Sequence, residues 1–83
     1  MRHLVRTAKQ MGEAIARERR ARGLTQAQLA DKAGLRQEAI SKIESGNPAT
    51  SFDRISKILA ALDLEFTLGP RTKGSPQDIE SIF

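Results

Sequence analysis

The 83-residue chain contains no cysteine, a single histidine and no run of apolar residues long enough to cross a bilayer. Without thiols, disulfides and thiolate metal sites are excluded, which suits a reducing compartment. With one histidine and no cysteine, nothing in the chain resembles a catalytic triad or a metal cluster, and no glycine loop of the phosphate-cradling kind is present. The expectation is a non-enzyme that takes no cofactor and no metal. The opening MRHLVRTAKQ lacks the apolar stretch of a secretory signal, so a cytoplasmic protein without membrane contact is expected. Internal repeats and low-complexity blocks are also missing.

What is present suffices for one small domain, with a stability of a few kcal/mol unless a second subunit adds to it. The net charge is +4 and the pI about 10.1, a balance that favours a polyanionic partner only slightly. Arg17, Arg19, Arg20 and Arg22 crowd one stretch, whereas residues 71–83 balance two positive charges against two negative.

Periodicity predicts four helices. The first runs from about Ala8 to Arg22, capped by Thr7 with Gln10 at the capping-box position, and buries Ala8, Met11 and Ile15. Gly23 supplies its left-handed stop. Thr25 caps a second helix, Gln26 to Ala33, with Gln28 at the box position, Leu29 and Ala33 facing inward and Gly34 ending it. A third helix lies near Gln37 to Ser45, with Ile40 and Ile43 toward the core and Glu38, Ser41, Lys42 and Ser45 on the opposite side. Gly46, Asn47 and Pro48 then break the chain. The fourth, about Phe52 to Leu62, carries the strongest apolar stripe: Phe52, Ile55, Ile58, Leu59 and Leu62.

Leu64-Glu65-Phe66-Thr67-Leu68 is apolar at every second position and reads as a half-buried strand. Its best partner is the same strand of a second molecule, with Leu64, Phe66 and Leu68 at a two-fold interface; the competing partner is the Leu4-Val5 segment. The organisation is then an N-terminal arm (1–7), one domain that includes the pairing strand (8–68) and a flexible tail (69–83) whose apolar residues Ile79, Ile82 and Phe83 could dock on a partner.

Between Leu24 and Glu44, LTQAQLADKAGLRQEAISKIE places two short capped helices around a glycine turn, the second polar on its outer face. This is the helix-turn-helix pattern. Ala30 and Gly34 are expected to let the two helices approach closely, and Leu24, Leu29, Leu35, Ile40 and Ile43 to fix their crossing. The second helix can then enter a major groove about 12 Å wide.

The residues Thr25-Gln26, Leu29-Ala30, Ala33-Gly34-Leu35, Ile40-Ser41-Lys42-Ile43-Glu44 and Gly46 resemble the Cro/lambda-repressor (XRE-like) helix-turn-helix family over about residues 8–64. The ending Ile58-Leu59-Ala60-Ala61-Leu62-Asp63-Leu64 with a following strand is similar to the HipB-like antitoxins. The resemblance implies an all-α lambda-repressor-like domain of four to five helices, with a short C-terminal strand paired across a dimer. It implies a repressor of a palindromic operator in double-stranded DNA, autorepressing an operon that also encodes a HipA-type kinase toxin, its second partner.

Residue roles follow from the matched positions together with their chemistry. Gln37 suits adenine N6 and N7, and Arg36 a guanine or a phosphate. Ser41 and Lys42 come within reach of base edges or nearby phosphates, and Glu38 accepts from cytosine or discriminates against wrong bases. Gln26, with Thr25, matches the family's phosphate clamp at a helix N-terminus. Arg19 and Glu44 match a structural ion pair.

Each role has a plainer rival. Polar residues on an exposed helix face are usually just solvated, and Arg17, Arg20 and Arg22 read as such a face rather than a clamp. His3 reads as isolated and inert, and Phe66 as dimer core. Three other functions compete: a stand-alone regulator, a restriction-modification controller, and a helix-turn-helix module that binds only proteins. A membrane-surface role for the basic first helix is poorly served by a stripe that is mostly alanine.

Overall fold

The computed structural model describes residues 3–71, in which four helices follow in order: α1 (Ala8–Ala21), α2 (Gln26–Ala33), α3 (Gln37–Glu44) and α4 (Phe52–Ala61). The fold is all-α, and each expected helix is present to within one residue at either end. The tail from residue 72 onward, with Ile79, Ile82 and Phe83, lies outside the described residues.

Local chemistry explains every boundary but the start of α3. Thr7, Thr25 and Ser51 each sit in extended backbone and accept the N–H three residues ahead, from Gln10, Gln28 and Arg54. At Thr25 the box is complete, because Gln28 Oε1 accepts from the Thr25 N–H at 2.8 Å. Gln10 departs from the expected box: its carbonyl accepts from the Arg6 N–H, one residue earlier. Arg36 begins α3 with no side-chain cap.

All four helices end in the same way. The backbone N–H groups of Gly23 and Leu24 bond back to Arg20 and Arg19, those of Gly34 and Leu35 to Asp31 and Ala30, and those of Gly46 and Asn47 to Ile43 and Lys42. Asp63 and Leu64 do the same with Ala60 and Leu59. These paired bonds are Schellman terminations, which need a left-handed residue at the turn. Glycine provides it three times, and Asp63, at φ 59°, provides it the fourth. The residue that follows usually returns an apolar side chain to the helix it has just left. Leu24, Leu35 and Leu64 do so, each packed against the core.

The core joins Met11 and Ile15 of α1, Leu29 and Ala30 of α2, Ile40 and Ile43 of α3, and Ile58, Leu59 and Leu62 at the end of α4. Ile15, Leu29, Ile40, Ile58 and Leu62 are completely enclosed. Truncating such a side chain, as in Leu29→Ala, removes about 2–5 kcal/mol. α3 packs against α1 and α2, and α2 also packs against α4. The eight-residue α2 and α3 are too short to persist alone, so tertiary burial holds them.

Two expectations are corrected here. Close approach of helices was placed at Gly34, but a Cβ there would meet nothing within 4 Å; Gly34 is needed for its φ of 70°. The close approach is at Gly12, where a Cβ would lie 2.7 Å from the Glu44 carbonyl oxygen and nearer still to that of Ile43. Phe52, expected in the apolar stripe of α4, is 68% exposed instead, because it stands at the first position of the helix, beyond the edge of the core. No strand forms among the described residues, so Leu4-Val5 does not pair with residues 64–68 within the chain.

Candidate nucleic-acid interface

α3 is held from behind and bare in front. Ile40 and Ile43 are sealed in the core, while Gln37, Glu38, Ser41 and Lys42 are exposed on the outer side, with Arg36 exposed just ahead of the first turn. All five expected base-reading residues therefore share one open surface. None of their side chains makes an ion pair among the described residues, so their hydrogen-bonding groups are free for a ligand.

A polar cluster fixes how α3 is presented. Arg19 donates from Nε to Glu44 Oε2 at 2.7 Å and from Nη2 to Glu44 Oε1 at 3.0 Å, a forked contact in which the two side chains are 11% and 6% exposed. Nη1 of the same guanidinium donates to the Leu24 carbonyl at 2.8 Å. Gln26 adds a further bond, from Nε2 to Glu44 Oε1 at 3.0 Å. Glu44 thus ties the end of α3 to α1 and to the start of α2. Its hydrogen bond holds the Arg19 guanidinium above its ordinary pKa, against the opposing effect of burial. The expected ion pair of Arg19 with Glu44 is present. The part played by Gln26 in it could not be read from spacing, because Gln26 and Glu44 meet only once α2 and α3 have crossed.

At the start of α2, Thr25 is exposed and Gln26 half-buried, beside the exposed face of Gln28. The Thr25 hydroxyl oxygen already accepts the Gln28 N–H, which leaves its own proton to donate outward.

A second polar cluster, centred on the buried Glu18, lies outside the expected set. His3 Nε2 lies 2.7 Å from Glu18 Oε2, and Arg22 bonds both the Glu18 carboxylate and the Glu18 carbonyl. His3 is therefore not isolated, and Arg22 is not simply a solvated cation. Both hydrogen bonds, that of Arg22 foremost, hold the Glu18 carboxyl below its ordinary value, with burial opposing. The cluster pins the N-terminal arm along α1, on which Val5 also packs against the core. The signal available in the sequence was the Glu18–Arg22 spacing of four on a helix.

Of the residues expected at a dimer interface, Leu64 packs against the chain's own core, whereas Phe66 is 41% and Leu68 fully exposed. Phe66 stacks on Phe52, with ring centroids 5.3 Å apart and planes inclined by 18°. An exposed aromatic pair thus joins the segment after α4 to the first residue of α4. Among the described residues no group of three or more acidic, histidine or cysteine side chains could hold a metal, and no helix is long and apolar enough to cross a membrane.

Comparison with known proteins agrees with this geometry. The model of the Helix-turn-helix family matches residues 15–68. Antitoxin HipB of Escherichia coli O6:H1 (strain CFT073) is 37% identical over 71 residues, covering 86% of this chain and 76% of the relative. Antitoxin HipB of Escherichia coli K12 is 35% identical over 71 residues, covering 86% and 81%. A solved HipB-O4 20mer complex superposes with a TM-score of 0.78 at 32% identity, covering 83% of this chain and 97% of that one. A HipA-HipB-O2-O3 complex gives 0.75 at 34%, with the same coverage. An open polar face on α3, the Glu44 cluster that holds it, and relatives of this similarity over most of the chain lead to one assignment: the chain belongs to the helix-turn-helix family and, within it, to the HipB antitoxins.

Proposed function

We propose that this protein is a cytoplasmic, dimeric, sequence-specific DNA-binding repressor, the antitoxin of a toxin–antitoxin operon, with no catalytic role of its own. The observation that carries this reading is the face of α3. Gln37, Glu38, Ser41 and Lys42 project from a helix that is buried behind and anchored through Glu44. A module that bound only proteins would need the same core but not four adjacent hydrogen-bonding side chains on this helix.

The roles follow from reach. Gln37 reads adenine, Arg36 takes a guanine or a phosphate, and Ser41 and Glu38 act at neighbouring base edges. Thr25 and Gln26 hold a phosphate where the N–H groups of α2 begin. Residues 64–68 pair with the same segment of a second copy through the exposed Phe66 and Leu68, while Leu64 anchors the segment to its own protomer. Two α3 helices about 34 Å apart would then meet a palindrome in successive major grooves. The relatives solved as HipB-O4 20mer and HipA-HipB-O2-O3 complexes support an operator and a HipA-type kinase toxin as the two partners.

A salt-dependent binding titration against the DNA upstream of the protein's own gene, with random duplex as control, tests this. Preference for the upstream duplex, weakening steeply with salt, is expected. Gln37→Ala should lose about 1–3 kcal/mol at one base position and relax the preference there. Equal, salt-insensitive affinity for both duplexes would sink the repressor reading and leave a protein partner. Co-purification with the product of the adjacent gene tests the toxin; its failure would indicate a stand-alone regulator.

A further inference from the structure

Where α3 ends and the chain turns toward α4, a cavity of about 210 Å³ opens beside the reading face. Its polar wall is Lys42, Asn47, Thr50 and Arg54. We propose that this cavity holds a phosphodiester of the DNA backbone, so that Lys42 and Arg54 are backbone contacts, not base readers. The proposal rests on the DNA-binding reading above and adds to it a second anchoring point, at the opposite end of α3 from Thr25 and Gln26.

Three observations point to an anion. The first is the balance of donors. No carboxylate lines the cavity, and neither Lys42 nor Arg54 makes an ion pair among the described residues. The carboxylate beside Arg54 in sequence, Asp53, is turned to Lys57 at 3.4 Å. Asn47 Oδ1 already accepts from the Ala49 N–H at 2.9 Å, and Thr50 Oγ1 donates to the Asn47 carbonyl at 3.1 Å. The donors left to act are the Lys42 ammonium, the Arg54 guanidinium and the Asn47 amide N–H₂, and the one hydroxyl beside them, Thr50, is a neutral acceptor with its proton already used. A phosphate oxygen is the acceptor such a set is suited to, and the guanidinium can take two at once.

The second observation is a break in pattern. Three helices follow their left-handed turn with a leucine that returns to the core, namely Leu24, Leu35 and Leu64. α3 has the same backbone termination but follows it with Asn47, which faces the cavity instead. Its end is built to stay polar. The third is position. Lys42 belongs both to the cavity and to the exposed face that carries Glu38 one turn earlier. Whatever macromolecule α3 enters must therefore also pass over this cavity.

The experiment compares the full-length protein with Lys42→Gln, Arg54→Gln and the double variant on upstream and random duplexes across a salt series. Both side chains are exposed, so melting curves matching the wild type are expected and check the fold. Each single change should reduce the slope of log affinity against log salt by about 0.9, and the double change by about 1.8. Between 50 and 200 mM salt, a single variant should then lose about threefold less affinity than the wild type. The loss at low salt should be equal on the two duplexes, whereas Gln37→Ala changes their ratio and leaves the slope alone. Unchanged slopes in both single variants, with a wild type that binds, would overturn this site and spare the repressor. A Lys42→Gln loss confined to the upstream duplex would make Lys42 a base reader and overturn the proposal. A wild type that binds neither duplex would remove the repressor reading, and this site with it.

Discussion

Glu18 and Glu44 are both enclosed carboxylates, and each is tolerated there because an arginine and a second side chain meet it. They differ in what depends on them. Glu44 is the junction of α1, α2 and α3, so Glu44→Ala leaves the Arg19 guanidinium enclosed without its partner. A loss of about 3 kcal/mol is expected, on the order of 15 °C in melting temperature. Thermal denaturation checks this, and a drop of only a degree or two would show that solvent reaches the pair freely. Glu18 gives a pH dependence instead. Its carboxyl is held below the ordinary value of 4.5 in the folded chain, chiefly by Arg22 and then by His3. A group of this kind contributes stability that is complete above its unfolded pKa and is lost as pH falls through its folded one. The melting-temperature gap between wild type and Glu18→Gln should therefore be full above about pH 5 and shrink below about pH 4. A gap that stayed constant down to about pH 3 would mean that the cluster does not perturb the carboxyl.

At the scale of the helices, the two kinds of glycine make opposite demands. Gly34 needs a left-handed backbone in open space, and an alanine there costs about 1 kcal/mol. Gly12 has ordinary helical backbone but no room, since its Cβ would strike the carbonyls that end α3. Gly12→Ala must push α1 away from α3 and should cost about 2–3 kcal/mol, more than Gly34→Ala despite adding the same methyl group. Paired urea denaturation curves decide the order, and the reverse ranking would place the α1–α3 contact elsewhere. The contrast also explains what could be read in advance. Caps and stops depend on residues three to five apart, so Thr7, Thr25, Gly23, Gly34 and Gly46 marked the helix boundaries from composition alone. The outward set Gln37, Glu38, Ser41 and Lys42 followed from the helical period once Ile40 and Ile43 were assigned inward. Gly12, the His3–Glu18 bond, the Gln26–Glu44 bond and the exposure of Phe52 all depend on which elements meet across the fold, and periodicity along one helix carries no such information.

For the whole molecule, the stack of Phe66 on Phe52 links the segment proposed to pair across a dimer to the start of α4, next to the turn that leaves α3. Phe66→Asp should turn the dimer into a monomer in sedimentation. Because Phe66 is exposed in the single chain, the monomer should keep its helical circular dichroism. A variant that sediments as a dimer would move the two-fold interface to another surface. Loss of pairing should also abolish preference for a palindrome over a single half-site, since one reading helix then acts alone. The helix terminations have a consequence of another kind. α3 is closed by its own backbone bonds at Gly46 and Asn47 and preceded by the core-packed Leu35, and its fully buried side chains are only Ile40 and Ile43. The five outward positions can therefore be exchanged as a cassette between Leu35 and Glu44 with little change in the rest of the domain. On the proposed roles, base reading and folding draw on separate residues, and only the phosphate-holding Thr25 and Gln26 serve both, so such a scaffold can change its target sequence at almost no cost in stability.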